Sequence, residues 1–456
     1  MNAVTVLQKF ADFACALPDP PGDVLHHARR ALIDWHAAAL PGALLPPATF
    51  LELALAEELD RGESRLLLGR RATTRAAALI NGTAAHTVEF DDIFRDAIFH
   101  PGAPTIAAAL AVAQGENPGR QFNGTQTLRA IVAGYEISTR IGVAMGAPHY
   151  RHWHTTGTVG SFGAAAAAGV LLGLDRHRLA HALATVTTFA AGLQQAMRSN
   201  AGGESMSKPL HAGRAAEAGV LAALAARAGV TGTLDALEGE AGFGRAMGGN
   251  EAGGPEWDAA TAGLGSAFNI AAMTFKNHAC CGHAFAAIDG ALELKARMKF
   301  APEEVAKIRI ATYGAALAVA NNREARTPAQ AKFSMAYVVA HALTHGSVRL
   351  DAFSSDRLAD PSLQSLMQRV EVSVDPELDR AFPGRRAARV TVETRDGRAQ
   401  TFLQPTRKGD PDAPLSDADL EAKYFELAIP VIGELRAQSL VQRLWAIGDA
   451  PVDWRI

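Results

Sequence analysis

Four short tracts in this 456-residue chain bring together side chains that can move protons or bind anions. The first tract, HTVEFDDIFRDAIFHPG, holds Asp91, Asp92 and His100. A carboxylate and an imidazole within hydrogen-bonding reach can work together as general acid and general base. Because neighbouring side chains on a helix point in different directions, we expect only one of the two aspartates to face a site. The alternative is that these acids cap helices at the surface.

The second tract, RHWHTTGTVGSFGAAAAAGVLLGLD, places a histidine before a run rich in threonine and glycine and a long alanine block. Its glycines do not follow the G-x-G-x-x-G spacing and no strand pattern precedes them, which argues against a dinucleotide-binding loop. Backbone N–H groups at the start of a helix attract carboxylates and phosphates. We therefore predict an anion site built from Thr155, Thr156, Gly157 and Thr158, with His154 as acid, base or donor.

Two other interpretations of the second tract stay open. His152 and His154 can ligate a metal, but an H-x-H pair without a carboxylate or cysteine is a weak signature. The tract is also consistent with an N-capped core helix whose histidines face solvent.

The third tract, RSNAGGESMSKPLHAGRAAEAG, places Lys208 and His211 in a loop rich in glycine and serine that runs into an apolar helix. A lysine at such a border can anchor an anion or take part in proton transfer. Lys208 is thus a catalytic candidate, and His211 is a candidate for substrate binding. The alternative is a solvated lysine without a chemical role.

The fourth tract, FKNHACCGHAFAAID, contains Lys276, His278, Cys280, Cys281 and His283. Histidine and cysteine are zinc ligands, but no second pair of ligands completes a site in the sequence. A cysteine nucleophile activated by a nearby histidine is a second interpretation. Adjacent cysteines that act as small apolar core residues are the third.

The segments around the first three tracts are predicted to be helical up to about residue 265. Apolar residues recur at i, i+3 and i+4 in alanine- and leucine-rich segments, and glycine or proline separates most of them. Several segments are apolar on nearly every side, so we expect them to be buried on more than one face. One of the predicted helices is ATFLELALAEELDRG, at residues 48–62.

Beyond residue 265 the pattern changes to alternating apolar and polar residues with many β-branched side chains. EEVAKIRIATY, QRVEVSVDP and AARVTVETRDGRAQTFLQP are predicted strands, and the Asp-Gly at 396–397 is typical of a hairpin turn. Ser416 and Asp419 form a predicted capping box where the helical pattern returns.

The predicted fold is therefore mainly α. It has a large all-helical domain built from both chain ends and a smaller inserted α+β lid domain. The predicted bounds are 1–265 with 405–456 for the helical domain and 266–404 for the lid domain.

Composition and charge narrow the functional classes. Apolar residues make up 48% and charged residues 20% of the chain, and 44 basic against 47 acidic residues give a net charge of −3. No block of lysine and arginine points to nucleic acid or to a membrane surface. The N-terminal segment is predicted to be an amphipathic helix and not a signal peptide, and the apolar runs are too short to span a membrane. The three cysteines do not form a disulfide framework, which predicts a cytoplasmic protein.

Taken together and in this order, the four tracts and RTPAQAKFSMAYVVAHALTHGSV at residues 326–348 resemble the MmgE/PrpD family. The resemblance covers nearly the whole chain. It implies a homodimer of two-domain subunits, each with a site between a large helical domain and a smaller lid domain. It also implies catalysis without a metal, flavin or nicotinamide cofactor.

The resemblance also implies roles for particular residues. The family's site aspartate corresponds to Asp91 or Asp92, and its other catalytic positions correspond to His100, His154 and Lys208.

In the fourth tract the resemblance implies that Lys276 binds substrate. Phe285 occupies the register of a family histidine, and His283 can substitute from two residues earlier. Ile93 stands where the family has threonine. Both departures affect positions that help to set carboxylate binding.

The resulting hypothesis is a cofactor-independent lyase, a dehydratase or decarboxylase, that removes a proton next to a carboxylate of a small di- or tricarboxylate. The resemblance implies substrates such as 2-methylcitrate and cis-aconitate. Such a reaction builds enediolate-like charge that preorganised cations and N–H donors must stabilise. An epimerase of an iminodisuccinate-like dicarboxylate and a non-catalytic carboxylate-binding dimer remain as alternatives.

Overall fold

The computed structural model describes residues 4–115, 122–197, 205–248, 254–450, 452 and 454. The chain divides into two units, Met1–Thr274 with Ser416–Ile456, and Phe275–Leu415. Helices make up 60% of the structure and strands 10%, which confirms a mainly α fold with a small sheet-containing domain. Within the described residues, no helix combines the length and the apolar character that a membrane crossing requires.

The helices follow one another along most of the first unit. Their bounds are α1 Val6–Ala16, α2 Gly22–Gly42, α3 Ala48–Ala54, α4 Thr74–Thr87, α5 Gly102–Gly115, α6 Gly124–Tyr150, α7 Thr155–Thr158, α8 Gly160–Leu171, α9 Arg176–Val186, α10 Ser207–Ala228, α11 Phe243–Met247 and α12 Trp257–Thr261. The second unit contains α13 Phe285–Met298, α14 Gly314–Ala320, α15 Pro328–Lys332, α16 Met335–His345, α17 Ser355–Leu358, α18 Pro361–Met367 and α19 Pro376–Ala381. The chain returns to the first unit with α20 Asp417–Ile432 and α21 Glu434–Trp445.

The strands are few and short. They are β1 Leu59–Arg65, β2 Arg71–Ala72, β3 Val305–Thr312, β4 Val370–Val374, β5 Ala388–Thr394 and β6 Ala399–Gln404. β1 and β2 belong to the first unit, and the other four belong to the second.

Alanine and glycine let the central helices of the first unit pack at short range. Every residue of α8 from Gly160 to Gly169 is buried, so the expected burial on more than one face is confirmed. α10 approaches α8 so closely that a Cβ added at Gly219 would lie 2.4 Å from the Cβ of Ala164. Small residues therefore set the spacing of the helices that carry the site.

Side-chain caps fix the ends of several helices. Thr5 and Gln8 form a capping box at the start of α1, and the predicted amphipathic first helix is confirmed. Ser416 and Asp419 form the predicted capping box at the start of α20. These local patterns were therefore sufficient to place two helix starts.

The predicted helix at residues 48–62 is wrong in its second half. α3 ends at Ala54, and β1 follows and pairs antiparallel with β2. Asp60 and Gly62 have φ values of 60° and 72°, which a right-handed helix does not accommodate. Because of this hairpin, the predicted all-helical character of the larger domain needs correction.

The second unit is built around a four-stranded sheet with the order β4-β3-β5-β6. β3 pairs parallel with β4 and antiparallel with β5, and β5 pairs antiparallel with β6. Gly397, with a φ of 88°, lies in the tight turn between β5 and β6, which confirms the predicted hairpin. α13 packs against β5, β6 and α16, so helices cover one side of this sheet.

Candidate active site

Two histidines surround one aspartate at the turn between α4 and α5. His86 lies in the last turn of α4, Asp91 in the connection that follows, and His100 just before α5. The Nδ1 atoms of His86 and His100 lie 2.7 Å and 3.2 Å from the same carboxylate oxygen, Oδ2 of Asp91. An antiparallel bridge between Phe94 and Phe99 closes the loop and brings His100 back to Asp91.

The electrostatics of this cluster favour an ionised Asp91. Burial raises the pKa of Asp91, but the charges and hydrogen bonds of His86 and His100 outweigh burial and hold that pKa well below its usual range. The side chain of His100 is 13% exposed, against 2% for Asp91 and 0% for His86. His100 is thus the member of the cluster that a ligand can reach, and Asp91 is placed to orient it.

Asp92 points away from the two histidines. Its carboxylate accepts hydrogen bonds from the Tyr135 hydroxyl at 2.7 Å and from the Gly102 amide at 3.1 Å. Burial, followed by the charge of the nearby Asp34, raises the pKa of Asp92 to about 8. The two neighbouring aspartates therefore separate as expected, and the contacts of Asp92 hold the start of α5 instead of supporting the predicted catalytic role.

His154 joins the cluster from a second segment, immediately before α7. It is 2% exposed, and its ring stacks on that of His86 with 5.5 Å between the centroids. Its Nδ1 lies 3.0 Å from Nδ1 of His211 on α10. Burial, followed by the charges of His86 and Lys208, lowers the pKa of His154 well below its usual value, and burial lowers the pKa of His211 to about 4. Both imidazoles are therefore neutral near pH 7, and one donates to the other.

The tract after His154 brings chain segments close together, and two of its amides are already bonded within the chain. The amides of Gly157 and Thr158 donate to the carbonyl oxygen of His154, so they are not free, contrary to the expectation of an open helix start. A Cβ added at Gly157 would lie 3.0 Å from the Cβ of His211. Glycine is required here because it lets the segments of the two histidines approach each other.

The other residues predicted in this tract lie in different settings. Thr155 and Thr156 are buried, and the Thr156 hydroxyl accepts a hydrogen bond from the His100 amide at 3.2 Å. His152 is exposed while His154 is buried, which speaks against a metal shared by these two. Substrate binding by Thr155 and Thr156 stays a prediction.

Lys208 lies in the first turn of α10 and not in a loop, and it is 9% exposed. Residues 198–204 of the predicted glycine- and serine-rich loop lie outside the described residues. The Lys208 ammonium donates a hydrogen bond to the Glu89 carboxylate and forms an ion pair with it. Glu89 is 6% exposed, so both charges are largely removed from water.

A second lysine holds the same connection from a distant helix. Lys423 of α20 donates to Oδ1 of Asp34 at 2.6 Å and to the carbonyl oxygen of Phe90 at 2.7 Å. The side chains of Lys423 and Asp34 are 2% and 1% exposed. The connection that carries Asp91 is thus held on both sides by buried charged groups.

Five residues of this arrangement were not identified from the sequence: Asp34, His86, Glu89, Tyr135 and Lys423. His86 lies inside the first tract, and its place one short turn before the aspartate pair is a local signal that could have found it. The two lysine pairs join positions 119 and 389 residues apart. No local pattern in a single sequence reports such pairings.

The second unit holds Lys276 in a buried setting and His283 in a half-buried one. Lys276 is 1% exposed, and Nδ1 of His283 lies 2.9 Å from the Tyr313 hydroxyl oxygen. Burial, followed by the charges of Arg386 and Arg407, lowers the pKa of His283 to about 3. Neutral His283 and the cations near it suit an anion, and substrate binding by Lys276 and His283 stays a prediction.

The remaining residues of the fourth tract have structural partners. His278 pairs with Asp289 at 2.9 Å, and Cys280 and Cys281 are buried cysteines outside any disulfide. Within the described part of the chain, this tract contributes no group of three ligand atoms close enough to share a metal. The contacts therefore agree best with the interpretation of the cysteines as small core residues.

Among the described residues, the side chains that could share a metal ion are His86, Asp91 and His100, whose ligand atoms lie within 4.8 Å of one another. Two imidazoles and a carboxylate are a common donor set for divalent transition metals. A metal-bound histidine usually donates its other N–H to an acceptor. Nε2 of His86 is buried without a hydrogen-bond partner, so the arrangement fits a hydrogen-bonded acid–base cluster better than a metal centre.

Several known proteins are similar to this chain over most of its length. The chain is 30% identical over 446 residues to the cis-aconitate decarboxylase-like protein oryM of Aspergillus oryzae. The aligned region covers 92% of this chain and 90% of that protein. It is 27% identical over 442 residues to a cis-aconitate decarboxylase of Aspergillus terreus, with 93% and 89% covered. The human cis-aconitate decarboxylase is 28% identical over 371 residues, with 80% and 75% covered.

Two family models match successive parts of the chain. The MmgE/PrpD N-terminal domain matches residues 8–255, and the MmgE/PrpD C-terminal domain matches residues 278–447. The second match extends over α20 and α21, so it includes Lys423. With both models matched and a relative at 30% identity over nearly its whole length, this chain belongs to the MmgE/PrpD family.

Proposed function

We propose that this protein is a cofactor-independent lyase that transfers a proton at a carbon next to a carboxylate of a small di- or tricarboxylate. The observation that carries the proposal is the contact between the buried, ionised Asp91 and the partly exposed imidazole of His100. Family membership and the relatives named cis-aconitate decarboxylase support it. The family resemblance also leads us to propose a homodimer, and the three cysteines lead us to propose a cytoplasmic location.

In the proposed reaction, His100 is the general acid and base that donates and accepts the proton. Asp91 keeps the His100 ring in one tautomer and stabilises the imidazolium that forms when the ring is protonated. His86 binds the same carboxylate and keeps it oriented while the charge on His100 changes. A positioned acid or base of this kind contributes about 10²–10⁴-fold to the rate.

Decarboxylation is the form of the reaction that we favour, because of the names of the relatives. The carbon–carbon bond to one carboxylate breaks, CO₂ leaves, and the electron pair stays on the substrate as an enediolate-like anion. The imidazolium of His100 then donates a proton to carbon. Lys208 would stabilise the anion by its charge, and neutral His154 by a hydrogen bond.

Proton NMR in D₂O on the purified protein tests this proposal, with cis-aconitate, 2-methylcitrate and iminodisuccinate offered in turn. Loss of cis-aconitate with new vinyl signals and release of CO₂ is the expected result. Loss of 2-methylcitrate without CO₂, with its methyl doublet replaced by the signal of a methyl group on a double bond, would establish dehydration instead. Deuterium uptake without net loss would identify an epimerase. No change in any substrate would contradict the proposal for this substrate class.

A pair of histidine variants ties the activity to the site. His100→Asn should lower kcat by about 10²-fold or more, because the proton donor is lost. His152→Asn is the matched control, since His152 is exposed and has no assigned role. Equal activity in the two variants would contradict the assignment of His100.

A further inference from the structure

The lysine of the helical unit's part of the site is already paired with a carboxylate. The ammonium of Lys208 and the carboxylate of Glu89 form an ion pair in which one positive charge meets one negative charge. His154 and His211 are neutral near pH 7. A site for a substrate with two or three carboxylates would be expected to carry more cations than anions, so Glu89 requires an explanation.

The position of Lys208 gives part of that explanation. A lysine in the first turn of a helix is repelled by the positive end of the helix dipole, and burial adds a desolvation cost. Lys208 meets both conditions, because it lies in the first turn of α10 and is 9% exposed. The Glu89 carboxylate offsets both costs by pairing with the ammonium. A substrate carboxylate that bound Lys208 would take over part of this contact.

The backbone at Glu89 is a separate observation. Glu89 has a φ of 61°, in the left-handed region where glycine or asparagine costs less than glutamate. A residue with a strained backbone persists where its side chain or its position is needed. Here the strained residue directs its carboxylate to Lys208 and stands two positions before Asp91.

We propose that Glu89 is a specificity-determining counter-carboxylate of Lys208 that limits this part of the site to a single substrate carboxylate. The inference rests on the proposed function and adds the charge selectivity of the same site. Glu89 competes with an incoming carboxylate for the ammonium, and its own charge repels every further carboxylate of the ligand. Removing that charge should therefore tighten the binding of ligands in proportion to their charge.

The test is calorimetric titration with unreactive ligands, so it does not depend on turnover. The probes are propane-1,2,3-tricarboxylate, glutarate and butyrate, which carry three, two and one carboxylates. The proteins are the wild type, Glu89→Gln, Glu89→Asp and the matched control Glu217→Gln. Glu217 also lies on α10, is 2% exposed and pairs with Arg75 and Arg214 away from the cluster.

For Glu89→Gln we expect Kd for the tricarboxylate to fall by roughly ten-fold, with a smaller gain for glutarate and the smallest for butyrate. Glu89→Asp keeps the charge and should resemble the wild type, as should Glu217→Gln. The four proteins are first compared by circular dichroism and thermal unfolding, and only folded variants are titrated. If Glu89→Gln does not fold, Glu89→Asp and Glu89→Ala are compared in its place, with Glu89→Ala expected to show the gain.

The titrations distinguish a failure of the counter-carboxylate role of Glu89 from a failure of the proposed function. If the wild type binds the tricarboxylate but removing the Glu89 charge leaves Kd unchanged or raises it, the counter-carboxylate role is refuted and the proposed function stands. A gain of equal size for all three ligands also refutes it, because charge selectivity is then missing. If neither the wild type nor any variant binds the polycarboxylates, the proposed function fails and the inference fails with it.

Discussion

Replacing Asp91 with asparagine tests the central assignment most directly. The carboxylate accepts contacts from His86 at 2.7 Å and His100 at 3.2 Å through one oxygen atom. An asparagine at this position has nearly the same shape but no charge. It also presents an amide nitrogen that cannot accept from an imidazole, so the tautomer of His100 is no longer fixed.

The expected fall in kcat for Asp91→Asn follows from these two contacts. A hydrogen bond to a charged group contributes about 1.5–3 kcal/mol. Only the contact with His100 changes as the proton moves, so its loss accounts for roughly 10- to 150-fold in rate at about 1.4 kcal/mol per factor of ten. The wrong tautomer adds to this loss, and in a serine protease triad the equivalent change costs about 10⁴-fold. We therefore expect kcat for Asp91→Asn to fall by about 10²–10⁴-fold.

The neighbouring aspartate provides the matched control. Asp92 is as deeply buried as Asp91, but burial and the Asp34 charge raise its pKa to about 8, so it is mostly protonated near pH 7. Asparagine resembles a protonated carboxyl group, and Asp92→Asn should keep most of the activity. The assay is the initial rate of substrate loss by NMR, with thermal unfolding of each variant measured beside it.

The assignment of Asp91 requires that Asp91→Asn and Asp92→Asn differ in kcat. If Asp91→Asn keeps more than about a tenth of the wild-type kcat while folded, Asp91 does not act through His100. If Asp92→Asn loses as much activity as Asp91→Asn, the separation of the two aspartates has no functional meaning.

Two further predictions concern stability. Between about pH 4 and pH 8, folded Asp92 keeps a proton that an unfolded aspartate has lost, so its contribution to the free energy of unfolding falls as pH rises through this window. Urea denaturation at a series of pH values should show the wild type losing stability relative to Asp92→Asn, and a constant difference would contradict this. Lys423→Met leaves Asp34 buried without its cation and should destabilise the protein by about 3–5 kcal/mol. Denaturation should show partial recovery in the Lys423→Met/Asp34→Asn double variant, and a loss below about 1 kcal/mol in the single variant would show that the pair is not needed.

Much of the fold could be predicted because its signals are local. The capping box at Ser416 and the Asp-Gly turn before Arg398 depend on residues within four positions of each other, and both were found in the structure. The helix predicted at residues 48–62 failed because its composition suits a helix, while Asp60 and Gly62 have positive φ values at an irregularity within β1. There the pairing of β1 with β2 outweighs local propensity.

In the candidate site, too, contacts between residues close in sequence could be predicted and contacts between distant residues could not. His100 and Asp91 lie in one tract, so their contact could be expected from chain proximity. The pairing of Lys208 with Glu89 depends on the packing of α10 against α4, which a single sequence does not contain. The threonine and glycine run was interpreted as an anion site, but its close contacts at Gly157 serve the approach of two helices.

The contact between Lys423 and the Phe90 carbonyl has a consequence for biosynthesis, because the two residues are 333 positions apart. At about 5–20 residues per second, a ribosome needs roughly 20–70 s to travel from one to the other. Throughout that interval the emerging chain holds Asp34 and the Asp91 turn without the ammonium that later ties them together. A nascent chain that stalls before α20 would therefore lack the cation that pairs with the buried Asp34, and it would be a target for chaperones and proteases.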